Sequence, residues 1–182
     1  VNQRDMDCCN VHLSGLEQQV QGLLQKSAFF LQTYRSIDAL NVLRQAQKLV
    51  ESKAVIWQLK AAVFRNLGEA YIQMNMHEEG IASFKQSYEV LEDGDDKAAC
   101  ASMLAGYYLR DGKTVLALKY ASKALDAATA PELMSEPYHI QGGVAAVEGD
   151  FPMAIELMNK AASYAEASHG ITDLAMIIMD IA

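Results

Sequence analysis

The side chains with the best spacing for a metal ion lie near the N-terminus. Cys9 and His12 would share one face of a helix at the i, i+3 spacing, and Cys8 lies next to them. A structural zinc ion needs four ligands, however, and no second pair follows in this segment, while Cys100 stands alone far along the chain. We therefore interpret the cysteines as structural side chains and expect no metal site.

Two acidic segments are the next candidates for chemistry. Residues 92–96 read Glu-Asp-Gly-Asp-Asp, but a calcium loop needs a longer series of oxygen ligands that ends in a bidentate glutamate. An acidic turn in which Asp95 or Asp96 caps the next helix fits this segment better. Residues 77–79, His-Glu-Glu, lack the second histidine of a zinc-protease helix, and no Ser or Cys occupies a recognisable nucleophile elbow. The sequence predicts neither enzymatic activity nor a cofactor.

Composition and charge narrow the function classes further. Of the 182 residues, 51% are hydrophobic, which is enough for a continuous buried layer. A net charge of -8 argues against a nucleic-acid partner, because such binding depends on clustered Lys and Arg side chains. The longest apolar stretch, residues 174–181, is far shorter than the roughly 20 residues of a membrane-spanning helix. Three cysteines without a disulfide spacing favour a reducing compartment, either the cytoplasm or the nucleus.

Helices must position these side chains. Alanine, leucine, glutamine, glutamate and lysine are abundant, and strand-like alternation is nearly absent, so the sequence predicts an all-α fold. Turn residues such as Gly112, Gly149 and Pro152 separate the helical runs, and the short connections predict antiparallel packing of successive helices. The predicted helices cover residues 10–33, 37–51, 54–75, 77–92, 97–111, 113–129, 135–148, 151–168 and 171–182.

A triplet of small residues recurs along these helices. The sets begin about 41, 37 and 37 residues apart, an interval typical of stacked helical repeats. Only a small side chain fits where two helices cross closely, so we expect Gly68 to lie against Gly80 and Gly142 against Ala154. The four sets are Ser27, Ala39 and Ala46; Gly68, Gly80 and Ser87; Ala105, Ala117 and Ala124; and Gly142, Ala154 and Ala161.

One unit of this pattern resembles a tetratricopeptide repeat. Residues 64–71 read Phe-Arg-Asn-Leu-Gly-Glu-Ala-Tyr, and Gly80, Phe84 and Ser87 follow at the spacing of that family. The other units are in register but weaker, and their period exceeds the family's usual length of about 34 residues. The resemblance implies a right-handed superhelical solenoid of antiparallel helix pairs, in one domain with about four repeats plus a terminal helix. The repeats would cover residues 10–51, 54–92, 97–129 and 135–168 of a domain that spans residues 1–182.

In this family the first helix of each pair lines a concave groove, and the resemblance implies that the groove binds a peptide or helix of a partner protein. Leu24, Ala28 and Leu31 are the groove positions of the first unit that the resemblance implies. Arg65 and Arg110 would hold an acidic group of the partner, whereas the apolar positions suit an apolar helix or an extended peptide. Alternatively, the apolar side chains contact neighbouring units or a terminal helix that folds into the groove. The implied partner-binding residues are Arg65, Asn66, Glu69, Ile72, Gln73, Met103, Leu109, Arg110, His139 and Ile140.

The resemblance therefore implies a protein-interaction scaffold or adaptor within a larger assembly. A regulatory sensor domain, which binds a short peptide or small ligand and controls an attached effector domain, is the alternative. Because the chain begins at Val1, we expect it to be a fragment of a longer protein. The helix predicted over residues 171–182 would expose an apolar face, so we expect either further repeats beyond it or a homodimer through this edge.

Overall fold

The computed structural model of the chain describes residues 14–52 and 55–167. Within these ranges the chain forms eight α-helices and one short 3-10 helix, with no strand, so the all-α prediction is confirmed. The helices are α1 (Gly15–Gln32), α2 (Ser36–Ser52), α3 (Trp57–Gln73), α4 (His77–Val90), α5 (Asp95–Arg110), α6 (Thr114–Ala127), α7 (Ser135–Glu148) and α8 (Phe151–Ala167), and the 3-10 helix is Pro131–Leu133. The helix predicted over residues 171–182 lies outside the described residues, as do Cys8, Cys9 and His12.

The backbone contacts divide the chain into two compact units, Val1–Gly80 and Ile81–Ala182. In the first unit α1 packs on α2, α2 packs on α3, and α1 also contacts α3. In the second unit α5 packs on α6, α6 on α7 and α7 on α8, while α5 also contacts α7. Helices α1 and α5 therefore each contact both the second helix of their own pair and the first helix of the next pair, as in stacked helical repeats.

The predicted close crossings are present in both units. A Cβ atom placed on Gly80 would lie 3.2 Å from the carbonyl oxygen of Gly68, and one placed on Gly142 would lie 3.2 Å from the carbonyl oxygen of Ala154. A Cβ on Gly80 would also lie 2.7 Å from Ile72 Cδ1, and one on Gly142 would lie 2.9 Å from Met158 Cγ, so a larger side chain requires these neighbours to shift. The remaining small residues of the triplets in these ranges are buried: Ser27, Ala39, Ala46, Ser87, Ala105, Ala117, Ala124 and Ala161.

The start of α1 is fixed by a capping box. The Ser14 side chain accepts a hydrogen bond from the Glu17 backbone N–H at 3.3 Å, and Glu17 Oε2 accepts one from the Ser14 backbone N–H at 2.7 Å. Glu17 Oε1 also accepts from the Ile56 N–H, which ties the start of α3 to α1. These hydrogen bonds, that of the Ser14 backbone above all, hold the pKa of Glu17 below its ordinary value. The helix therefore begins at Gly15 and not near residue 10.

The acidic turn before α5 has a different role from the one its sequence suggests. The residue that caps α5 is Gly94, and it makes no side-chain capping bond. Asp95 instead accepts hydrogen bonds from the backbone N–H groups of Thr129 and Ala130, at 2.7 Å and 3.1 Å, and so holds the segment after α6. The N–H of Thr129 is the main reason that the pKa of Asp95 lies below its ordinary value.

Candidate functional site

A depression of about 330 Å³ lies on the first unit, on the side formed by the first helices of its two pairs. Residues from α1, the turn after it and α3 line this depression, which we call the α1–α3 depression. Five of the lining residues are groove positions in the repeat register, and the other two, Gln32 and Tyr34, are not. The lining residues are Ala28, Leu31, Gln32, Tyr34, Asn66, Glu69 and Gln73.

Hydrogen bonds of two carboxamide side chains connect the helices that line the depression. Asn66 Nδ2 donates to Ser27 Oγ at 3.2 Å, which leaves the amide oxygen of Asn66 as the end that this bond does not use. Gln73 Nε2 donates to the Leu31 carbonyl oxygen at 3.2 Å, and Gln73 Oε1 accepts from Ser36 Oγ at 2.6 Å. Gln73 thus links α3 to the end of α1 and the start of α2. Because these bonds fix the spacing of α1 and α3, a ligand would meet a preformed surface.

Glu69 is the one formally charged side chain among the seven that line the depression. It is half-buried, and this loss of hydration raises its pKa above the ordinary value, while the Arg65 guanidinium one turn earlier acts in the opposite direction. A carboxylate that has lost part of its hydration gains more from an added cation than a fully exposed one does.

Tyr34 forms the rim of the depression in an unusual backbone conformation. Its φ of 55° lies in the left-handed region, and 84% of its surface is exposed. The corresponding turns after α3, α5 and α7 place Asn75, Gly112 and Gly149 in the same conformation, with φ between 60° and 85°. Glycine and asparagine tolerate this region, whereas tyrosine is strained there. Strained residues of this kind cluster at functional sites.

In the second unit, side chains of α5 and α7 occupy the space that corresponds to the α1–α3 depression. Gly106 and Gly143 occupy the register position of Glu69, and a Cβ placed on Gly143 would lie 2.9 Å from Leu109 Cδ2. A Cβ on Gly106 would lie 3.8 Å from both Ile140 Cδ1 and Glu136 Oε1. Leu109 and Ile140 are therefore packing contacts between α5 and α7, and Ile140 is only 3% exposed. The space that a ligand would need is occupied there.

The structure separates the sequence-predicted site residues into two groups. Asn66, Glu69 and Gln73 line the α1–α3 depression, and the exposed Arg65 lies one turn before Glu69. Ile72 instead packs against the start of α4, where its Cδ1 would lie 2.7 Å from a Cβ on Gly80.

The members on the second unit make contacts within that unit. The Arg110 guanidinium lies 4.4 Å from the centre of the Tyr107 ring, and His139 Nδ1 lies 4.0 Å from Glu136 Oε2. Met103 is half-buried on α5.

Sequence reasoning missed Gln32 and Tyr34 as site residues. The signal that would have found Tyr34 is its register position: it stands where two later repeats have glycine and a third has asparagine.

Within residues 14–52 and 55–167, His, Cys, Asp and Glu side chains form no group of three or more that could hold a metal ion. No helix in the same part of the chain has the length and apolar character needed to cross a membrane.

The fold and its site define an all-α protein of stacked helix pairs. The tetratricopeptide repeat family model matches residues 59–130, so this part of the chain is a tetratricopeptide-repeat segment. Among curated protein sequences, none matches the chain significantly.

Solved structures share the fold over most of the chain. BtubC from P. vanneervenii has a TM-score of 0.76 at 16% identity, over 88% of this chain and 68% of BtubC. Aspartyl phosphate phosphatase F from Bacillus subtilis has a TM-score of 0.73 at 19% identity, over 90% of this chain but only 44% of that protein. YrrB, a tetratricopeptide-repeat protein with an unusual peptide-binding site, has a TM-score of 0.59 at 14% identity, over 92% and 91% of the two chains. These identities establish the tetratricopeptide-like fold alone.

Proposed function

We propose that this protein is an interaction module that binds an extended peptide segment of a partner protein in the α1–α3 depression. The observation that carries the proposal is a depression between two first helices whose walls are fixed by the hydrogen bonds of Asn66 and Gln73. The tetratricopeptide fold, in which this face serves as a groove, and the peptide-binding site of YrrB support it. We further propose that the protein has no catalytic activity and acts as an adaptor within a larger assembly.

The proposed mechanism is binding by a preformed surface. An extended peptide exposes its backbone donors and acceptors, and Asn66 and Gln32 present amide groups to them at a fixed spacing. Because the helices are already held in place by Gln73, binding orders few protein side chains and loses little entropy on the protein side.

The test fills the depression with large side chains. Ala28→Trp, on the floor, and Gln32→Trp, at the exposed rim, would each occupy space that the peptide needs. Gln19→Trp places the same side chain on the opposite face of α1 and serves as the matched control. Circular dichroism and thermal unfolding check that all three variants remain folded.

The readout is the affinity of peptides selected from a displayed random library on the unsubstituted protein, measured by fluorescence polarisation. We expect both depression variants to lose at least tenfold in affinity and the Gln19→Trp protein to bind as before. Equal affinity for the depression variants and the unsubstituted protein would place binding elsewhere. Failure to enrich any peptide would contradict the proposed function itself.

A further inference from the structure

Two of the polar groups that line the α1–α3 depression offer oxygen acceptors to a ligand. Glu69 contributes a carboxylate, and the amide oxygen of Asn66 takes no part in the bond from Asn66 Nδ2 to Ser27 Oγ. Gln73 uses its amide nitrogen and its amide oxygen within the protein. A group rich in N–H donors would complement this arrangement, whereas an anionic group would meet the Glu69 carboxylate.

Charge favours the same kind of ligand. Glu69 is the formally charged side chain among the lining residues, and its partial burial has removed part of the water that would hydrate the carboxylate. A cation could take the place of that water. The excess of acidic side chains lies in residues 81–182, whereas residues 1–80 hold eight basic and eight acidic side chains, so the attraction for a cation at the depression comes from Glu69 itself.

The aromatic rim is a third element suited to a cation. Tyr34 is largely exposed and its ring stands at the edge of the depression. Ammonium and guanidinium groups bind to the face of such rings with about 0.5–1 kcal/mol at exposed sites. The left-handed backbone turn at Tyr34 holds the side chain at this edge, where the other repeats have Asn75, Gly112 and Gly149.

From these three features we propose that the α1–α3 depression recognises a lysine or arginine side chain of the bound peptide, which pairs with Glu69 and lies against the Tyr34 ring. This inference rests on the proposed peptide-binding function and names the chemistry of its ligand. Asn66 supplies the additional acceptor for the N–H groups of the cation. At the register position of Glu69 the second unit has Gly106 and Gly143, and the Glu136 carboxylate beside Gly106 belongs to a different register position.

The experiment measures the charge preference at each position of a bound peptide. A peptide selected on the unsubstituted protein is resynthesised as a set in which each position in turn carries Lys, Arg, citrulline, norleucine or Glu. Citrulline has nearly the shape of arginine without its charge, so the ratio of the two affinities isolates the contribution of the charge. We expect one position at which Lys and Arg bind at least tenfold more tightly than citrulline and norleucine.

Three variants assign that preference to the site. Glu69→Gln should reduce the ratio to less than twofold, and Glu69→Lys should reverse it in favour of Glu. Glu78→Gln, at an exposed position of α4, is the matched control and should leave the ratio unchanged. Since burial disfavours the charged form of Glu69, its replacement by glutamine should not weaken the fold, which urea unfolding verifies.

The outcomes separate this inference from the proposed function. Tight binding with no cation preference, or with a preference that persists in Glu69→Gln, would overturn the inference and leave peptide binding intact. Failure of every peptide to bind would overturn both.

Discussion

Replacement of Tyr34 by glycine should stabilise the fold even as it removes part of the proposed site. A left-handed backbone costs an L-residue roughly 1–2 kcal/mol, whereas glycine adopts it freely. Glycine also increases the conformational entropy of the unfolded chain, which lowers the free energy of unfolding by about 0.5–1 kcal/mol and offsets part of this gain. Because 84% of the Tyr34 surface is exposed, little burial is lost with the ring. The net expectation is a gain of about 0.5–1 kcal/mol in the free energy of unfolding, or about 1–4 °C in melting temperature.

Urea unfolding followed by circular dichroism measures this gain, and two further variants isolate its cause. Tyr34→Ala removes the ring but keeps a Cβ atom in the left-handed conformation, so it should not stabilise the protein. Asn75→Gly occupies the equivalent turn, where asparagine is already tolerated, and should gain less than Tyr34→Gly. Equal stabilities for the glycine and alanine variants at position 34, or a destabilised Tyr34→Gly protein, would refute the argument from backbone strain.

Binding should change in the opposite direction from stability. Tyr34→Gly removes the aromatic rim, so we expect affinity for a lysine-containing peptide to fall by about twofold to fivefold, in line with a cation–π contribution of about 0.5–1 kcal/mol. Tyr34→Phe keeps the ring face and should retain most of the affinity. A glycine variant that binds as tightly as the unsubstituted protein would exclude Tyr34 from the site.

Two further predictions concern the fold. Gly80→Val should lower the free energy of unfolding by about 1–3 kcal/mol, because its Cβ would lie 3.2 Å from the Gly68 carbonyl oxygen. Gly22→Ala, which meets nothing within 4 Å, should instead raise it by about 0.5–1 kcal/mol in urea unfolding, and similar losses for both variants would contradict the close crossing. Since the folded-state pKa of Asp95 is depressed, its contribution is present above the ordinary value of 3.8 and is lost as the pH falls through the lower folded value. Asp95→Asn should therefore flatten the loss of stability in that acidic range, and an unchanged pH profile would mean that the bonds to Thr129 do not contribute.

The helices were predictable from the sequence because their signals are local. The crossings at Gly68 and Gly142, and the turns at Gly112 and Gly149, are where the periodic small residues and glycines placed them. The short 3-10 helix Pro131–Leu133 was not predicted, since its three residues are too few to show a period. The role of Asp95 was missed because its partners lie more than thirty residues away and no local pattern identifies them.

The site was predictable in part, for a similar reason. The repeat register placed Asn66, Glu69 and Gln73 on one face of α3, and all three line the depression, because helical spacing alone determines which residues share a face. Whether a position on that face is open depends on the side chains of the neighbouring helix. Leu109 and Ile140 have the right register but pack between α5 and α7, which a single helix does not reveal.

The size of one residue in the repeat register explains why the depression lies on the first unit. At the position of Glu69, glycine on α5 and α7 lets Ile140 and Leu109 approach the facing backbone and fill the space. Alanine and glutamate occupy that position on α1 and α3, at Ala28 and Glu69, and both side chains line an open depression. The hydrogen bonds of Gln73 then hold the two helices at a spacing that leaves the depression accessible. The same repeat architecture thus produces a packed face on the second unit and an open depression lined by Glu69 on the first unit.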